Sequence, residues 1–203
     1  MLTTTSTARA ATTTTSTETA RFSRVRGESG YSVREMPTGY LKDFVEELGR
    51  VGDVVFKSRY RSPVLIVLGK TAELVGEPAG REKTMLAQSS PNVTQMALVD
   101  RVFSVEKQAH APRGPIVLGR SGETDVSIPE YSISKRHCFF EFEVDGIKIT
   151  DCGSTNGTIV DDERIPSGEQ RIIRDGTKIS LGRFAFSFRT AAGFHGYLKS
   201  MLP

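Results

Sequence analysis

The sequence predicts a mainly β protein whose principal domain, residues 98–189, is a β-sandwich. Short apolar stretches in this region alternate with turn signals, among them Asp145-Gly146 and Asp175-Gly176. Apolar side chains recur at every second position, which places them on one face of a strand. The clearest runs are Cys138, Phe140, Phe142 and Val144, and Phe184, Phe186 and Phe188. Several short strands at this spacing are typical of a sandwich.

Residues 1–30 form a Thr-rich tail that we expect to be disordered. Ten of the first twenty residues are Thr, and large apolar residues are nearly absent. Such a segment cannot bury enough surface to offset the entropy of ordering it. Its Arg residues and scarcity of acids have some transit-peptide character, but a plain flexible tail is favoured. Phosphorylation of Thr15, Thr17 or Thr19, which would make the tail the domain's own ligand, is a second interpretation.

Residues 31–75 are predicted to be a small accessory region of helices and one strand. A helical stripe of Tyr40, Leu41, Phe44, Val45 and Leu48 follows Thr38 as N-cap and stops at Gly49. A second short helix covers 53–60, and 64–68 is a buried strand. The Gly69-Lys70-Thr71 that follows lacks the first glycine of a nucleotide-binding loop, because Val64 occupies that position.

The remaining segments complete the predicted organisation. Residues 76–97 mix Gly, Pro, Ser and charged residues without a period, which predicts a linker or long loop. Residues 190–203 are predicted to end the chain in a short helix, because Phe194, Tyr197, Leu198 and Met201 recur at helical spacing.

Charge and composition exclude several classes of protein. The net charge of +3 lies within residues 1–26, and the other residues carry 23 basic and 23 acidic side chains. A balanced body lacks the basic face that nucleic-acid binding needs. The longest apolar run, 64–68, is too short to span a membrane. Two cysteines without a C-x-x-C and three scattered histidines predict no metal site and no cofactor, and they favour a reducing, cytoplasmic location.

Three loops between the predicted strands carry residues suited to holding an anion. Gly119-Arg120 ends one strand, Ser132 to His137 opens the next, and Ser154-Thr155-Asn156-Gly157-Thr158 joins two more. The order G-R, S-x-x-H and S-T-N-G-T within an all-β stretch resembles the forkhead-associated (FHA) domain. The resemblance covers roughly residues 98–189. It implies an eleven-stranded sandwich that binds phosphothreonine in an extended peptide through loops at one end.

The resemblance also implies a role for each matching residue. Arg120, Ser134, Lys135 and Thr155 would contact the phosphate, and Asn156 would hold the main chain of the ligand. The family often has Arg where this chain has Lys135, which supplies a compact charge in place of a planar fork. Two interpretations of Arg136 are equally weighted: it assists in binding the phosphate, or it faces solvent. Gly119, His137 and Gly157 would brace the loops.

The functional prediction is a phosphothreonine-dependent binding module that acts as a signalling adaptor and is not an enzyme. Its partner is a phosphothreonine-containing protein or peptide, marked by an upstream Ser/Thr kinase, with no nucleic acid or membrane involved. His137 could serve as a general base, but bracing is favoured because no nucleophile and acid accompany it. Cys138 shares the parity of Phe140 and is expected in the core. The alternative is a structural or oligomerisation protein whose FHA fold no longer reads phosphate.

Overall fold

The computed structural model describes residues 38–71 and 98–203. The predictions for the Thr-rich tail and for the linker at 76–97 lie outside the described residues. The described strands are β1 (Thr38–Tyr40), β2 (Val64–Lys70), β3 (Arg101–Ser104), β4 (Ile116–Gly119), β5 (Val126–Ser127), β6 (Cys138–Glu143), β7 (Gly146–Asp151), β8 (Thr158–Val160), β9 (Glu163–Ile165), β10 (Gln170–Ile173), β11 (Lys178–Leu181) and β12 (Phe184–Arg189). The helices are α1 (Leu41–Val51), α2 (Asp53–Arg59) and α3 (Ala191–Lys199).

Two sheets form a sandwich, which confirms the predicted fold class. One sheet has seven strands in the order β1-β3-β2-β12-β11-β8-β9, and the other has five in the order β10-β7-β6-β4-β5. All neighbours are antiparallel except β4 and β5. Alternate side chains of both sheets meet in one buried cluster because successive residues of a strand point to opposite faces. Its largest members include Leu65, Leu118, Phe140, Phe184, Phe186 and Phe188.

A second apolar cluster lies on the outer face of the seven-stranded sheet, under the three helices. Val64 and Ile66 of β2 and Val102 of β3 contact it from the sheet side. The helices contribute the buried side chains Leu41, Phe44, Leu48, Phe56, Phe194 and Leu198. Strand β2 is therefore buried on both faces, which explains why its sequence is a continuous apolar run with no polar alternation.

The first helix differs at both ends from its prediction. Thr38 is not the N-cap, because residues 38–40 pair with β3 as strand β1. The helix begins at Leu41, and the N–H of Tyr40 donates to Asp43 Oδ2 at 3.0 Å. Gly49 does not end the helix, which continues to Val51. Gly52, with φ +76°, ends it because glycine adopts this left-handed region without a side-chain clash.

Strand β2 belongs to the middle of the seven-stranded sheet. It pairs with β3 on one side and β12 on the other, although it comes from the region predicted as accessory. The register with β12 shifts by one residue between Ala185 and Phe186, and Leu68 is the extra residue of this bulge. The apolar run predicts burial of β2 but not its neighbours, because pairing partners over thirty residues away leave no local signal. The domain boundaries given above remain our proposal.

The loops with the predicted site residues gather at one end of the sandwich. Strand β4 ends there and β6 begins there, and the same holds for β7 and β8. The turn between β11 and β12 lies at this end too, whereas the turn between β10 and β11 lies at the opposite end. None of the helices within residues 38–71 and 98–203 is long and apolar enough to cross a membrane.

Candidate phosphate-binding site

Gly119 allows two loops to touch at the end of β4. The backbone N–H of Arg120 donates to the carbonyl of Ser134 at 3.0 Å, which draws the following loop against the strand. A Cβ on Gly119 would lie 2.7 Å from the carbonyl carbon of Lys135 and closer still to its oxygen. No side chain fits between these backbones, so the close approach requires glycine. The exposed side chain of Arg120 starts from this fixed point.

His137 ties two loops together from a fully buried position. Its Nδ1 accepts the backbone N–H of Ser134 at 3.0 Å. Its Nε2 therefore carries the hydrogen of the neutral ring and donates to the carbonyl of Gly157 at 3.2 Å. The N–H of Cys152 donates to the carbonyl of His137 at 2.9 Å. Both ring nitrogens are engaged with backbone, so the imidazole cannot act as a general base for a ligand.

Acidification below about pH 6.5 is expected to reduce the free energy of unfolding through His137. Burial lowers the pKa of His137, although the hydrogen bond to Gly157 and the charge of Asp151 oppose the shift. Below the unfolded pKa of about 6.5, the unfolded chain then binds the proton more readily. This contribution to stability is complete above that pH and is lost progressively down to the folded pKa.

Urea unfolding at about pH 7.5 and about pH 5.5, which bracket the unfolded value, measures this effect. The His137→Gln variant should lose less stability on acidification than the wild type. His110→Gln changes an exposed histidine and should behave as the wild type does. Equal losses in the wild type and His137→Gln would contradict the assignment.

Ser134 and Thr155 bring two hydroxyl groups together next to the loop segment that His137 holds in place. The Oγ of Ser134 accepts the backbone N–H of Thr155 at 3.0 Å and donates to its Oγ1 at 3.3 Å. The second contact is long, so the hydroxyl hydrogen of Ser134 can turn toward a stronger acceptor. Asn156 donates from Nδ2 to the carbonyl of Ser132 at 2.7 Å. Its Oδ1 has no partner among the described residues and is available to accept from a ligand.

Asp151 shapes the Ser154–Thr158 loop, although it was not among the residues predicted from the sequence. Its Oδ1 accepts the N–H groups of Gly153 and Ser154 at 2.8 and 2.9 Å. Its Oδ2 accepts the hydroxyls of Ser154 and Thr158 at 2.6 and 2.7 Å. Burial raises the pKa of Asp151, but these four hydrogen bonds outweigh it and hold the pKa below its usual value. An Asp two residues before Gly153 is an Asx-turn signal that would have identified it.

Arg183 fixes the other side of the loop that carries Ser134. Its backbone N–H donates to Ser132 Oγ at 3.1 Å, and its guanidinium pairs with the buried Glu130 at 3.1 Å. The same guanidinium lies 4.2 Å from the ring centroid of Tyr131. Gly182, with φ +61°, has no room for a Cβ beside Ser132. These contacts span about fifty residues of sequence, so no local pattern predicts them.

The loops enclose an open cavity of about 270 Å³ at this end of the sandwich. Its lining residues are Arg120, Tyr131, Ser132, Ile133, Ser134, Lys135, Thr155 and Asn156. Neither the Arg120 guanidinium nor the Lys135 ammonium has an ion-pair partner within the described part of the chain. Two uncompensated cations beside two hydroxyl groups favour an anion.

Comparison with known proteins identifies the family to which this chain belongs. Residues 116–182 match the family model of the FHA domain. The glycogen accumulation regulator GarA of Mycolicibacterium smegmatis is 31% identical over 122 residues, which are 60% of this chain and 67% of that protein. The oxoglutarate dehydrogenase inhibitor of Corynebacterium jeikeium is 31% identical over 64% of this chain and 85% of its own length. The chain belongs to the FHA-domain family. It matches only 43% of the length of GarA from Mycobacterium tuberculosis, at 31% identity.

The structure brings all the predicted site residues of this FHA domain to one place. The five residues predicted to contact the ligand line the cavity: Arg120, Ser134, Lys135, Thr155 and Asn156. The three predicted braces lie behind them: Gly119, His137 and Gly157. Cys138 is buried, and burial raises the pKa of its thiol well above the usual value, as suits a core residue. Residues 38–71 and 98–203 hold no group of three or more side chains arranged to bind a metal.

Proposed function

We propose that this chain is a phosphothreonine-dependent protein-binding module that acts as a signalling adaptor. The observation that carries the proposal is the convergence of two unpaired cations, Arg120 and Lys135, with Ser134 and Thr155 on one cavity. The cations match the charge of a phosphate, which is between −1.5 and −2 at neutral pH. The hydroxyl groups of Ser134 and Thr155 supply directional hydrogen bonds to its oxygens.

The rest of the cavity suits the remainder of a phosphothreonine segment. Ile133 is fully buried beneath the cavity, so the threonine methyl would contact the exposed residues Thr155 and Asn156, which line it. The free Oδ1 of Asn156 can accept an N–H from an extended ligand backbone. Because the loops are already held by His137, Asp151 and Arg183, little ordering is needed when the ligand binds.

The proposal also includes a regulatory role, an upstream kinase and a cellular location. The names of the relatives describe a regulator and an inhibitor, which supports a regulatory role without catalysis for this chain. An upstream Ser/Thr kinase would create the mark that the cavity reads. Cys138 and Cys152 are both free thiols, which supports a reducing, cytoplasmic setting.

Titration with three versions of each peptide in a small library tests the function. The threonine in each is phosphorylated, unphosphorylated or replaced by phosphoserine, and binding is measured by fluorescence polarisation. We expect saturable binding of phosphothreonine peptides and none of the unphosphorylated ones. Phosphoserine should bind at least about fourfold more weakly, because one buried methyl group contributes about 0.8 kcal/mol.

Two results would contradict the proposal. Equal binding of phosphorylated and unphosphorylated peptides, or no binding of either, would favour a structural FHA fold that no longer reads phosphate. Equal affinities for phosphothreonine and phosphoserine would contradict the proposed contact with the threonine methyl but would still support phosphate binding.

A further inference from the structure

Arg164 lies beside the ligand-binding loops although it is not part of the predicted site. It stands in β9, paired with Ile159 of β8, and its side chain is exposed. Its guanidinium covers Gly157. A Cβ on Gly157 would lie 2.5 Å from Cζ and 2.7 Å from Nε of Arg164. Gly157 directly follows Asn156, which lines the cavity, although Arg164 itself is not one of the lining residues.

This guanidinium has no partner of its own. Arg164 makes no side-chain hydrogen bond or ion pair with any other described residue. The neighbouring Glu163 is paired with Arg171 at 2.7 Å and is not available to it. An arginine held against a backbone with all its donors free is well suited to a carboxylate, which it can bind through two parallel hydrogen bonds.

Exposed cations outnumber exposed acidic side chains around the cavity. Residues 119–137 and 152–158, together with Arg164, present four exposed cations: Arg120, Lys135, Arg136 and Arg164. Of the acidic side chains in the same segments, Glu130 is paired with Arg183 and Asp125 with Lys107. Glu123 is exposed without an ion-pair partner in these segments, and the buried carboxylate of Asp151, directly before residue 152, is held by hydrogen bonds alone. A phosphate carries at most about two negative charges and can be balanced by Arg120 and Lys135, so the guanidinium of Arg164 remains available for a further acidic group of the ligand.

We propose that Arg164 determines specificity by binding an Asp or Glu side chain of the ligand, close to the phosphothreonine and on the Asn156 side of the cavity. This inference rests on the proposed function and deepens it, because it makes the preferred partner an acidic phosphothreonine segment. Arg164 acts on the choice of ligand and does not contact the phosphate.

A degenerate phosphothreonine peptide library, with each flanking position varied in turn, tests the assignment. Selection is compared for the wild type, Arg164→Gln and Arg164→Glu. The wild type should enrich Asp and Glu at one or more flanking positions, and Arg164→Gln should reduce that enrichment at least about threefold. Arg164→Glu should favour Lys or Arg at the same position. All three proteins should still require phosphothreonine.

Arg174→Gln is the matched control, because Arg174 is an exposed arginine in the turn at the opposite end of the sandwich. It should select peptides as the wild type does. Identical selection by the wild type and Arg164→Gln would overturn the inference and leave Arg164 as a cover for Gly157. Failure of the wild type to retain phosphothreonine peptides would overturn the proposed function itself. Thermal unfolding of each variant shows that the differences arise in a folded domain.

Discussion

Replacing Arg120 with alanine is expected to abolish phosphothreonine-peptide binding and leave the fold intact. The side chain is exposed, has no partner within residues 38–71 and 98–203, and lines the cavity, so its removal disturbs no buried contact. Loss of one charge-assisted contact to a partly desolvated phosphate costs about 2 to 5 kcal/mol. This corresponds to a decrease in affinity of about 30-fold to several thousand-fold. Fluorescence polarisation with a phosphothreonine peptide measures the change.

Arg174→Ala serves as the control for Arg120→Ala. It removes the same charge from an exposed arginine at the far end of the sandwich, so it shows how much of the effect is general electrostatic attraction. The control should bind within about twofold of the wild type, a difference of less than about half a kcal/mol. If Arg120→Ala also bound within that range, Arg120 would have no direct role.

The Gly119→Ala variant is expected to lose both binding and stability. Its new methyl group would meet the carbonyl of Lys135, which is backbone and cannot turn away as a flexible side chain could. The segment that presents Ser134 and Lys135 would have to move, which separates it from Arg120. Overpacking of this kind costs about 1 to 3 kcal/mol of folding free energy. Urea unfolding and peptide titration of the same sample measure the two effects.

Gly122→Ala provides a closely matched comparison. It adds the same methyl group three residues further on, where no heavy atom of a non-adjacent residue lies within 4 Å of the added carbon. Its stability and affinity should remain close to those of the wild type. Wild-type binding by Gly119→Ala would show that the contact between the two loops is not needed for the site.

The sequence predicts those parts of the site whose signals are local. Arg120, Ser134 and Thr155 each belong to a short motif within one loop, and alternating apolar residues show that strands flank those loops. Order along the chain then suffices to place them together, because loops at the ends of neighbouring strands meet at one end of a sandwich. The FHA identity is confirmed by the family model and the relatives.

The remaining features depend on contacts between distant segments. Arg183 is in a turn and Glu130 is in a loop, and nothing in their local sequence marks them as an ion pair. In the sequence Arg164 has no feature that distinguishes it from other polar strand residues. Only the structure shows that its guanidinium lies over Gly157. The beginning of α1 is another feature that a contact between distant segments determines. Pairing of residues 38–40 with β3 overrides the capping preference of Thr38.

The burial of β2 on both faces sets the smallest fragment that can be expected to fold. Residues 98–189 hold every motif of the binding site, yet without β2 they would leave β3 and β12 as two unpaired edges with Phe103 and Phe186 uncovered. Exposed apolar edges of this kind promote aggregation. We therefore expect the phosphopeptide-binding domain to require residues 38–71 in order to fold, although these residues contribute no side chain to the cavity.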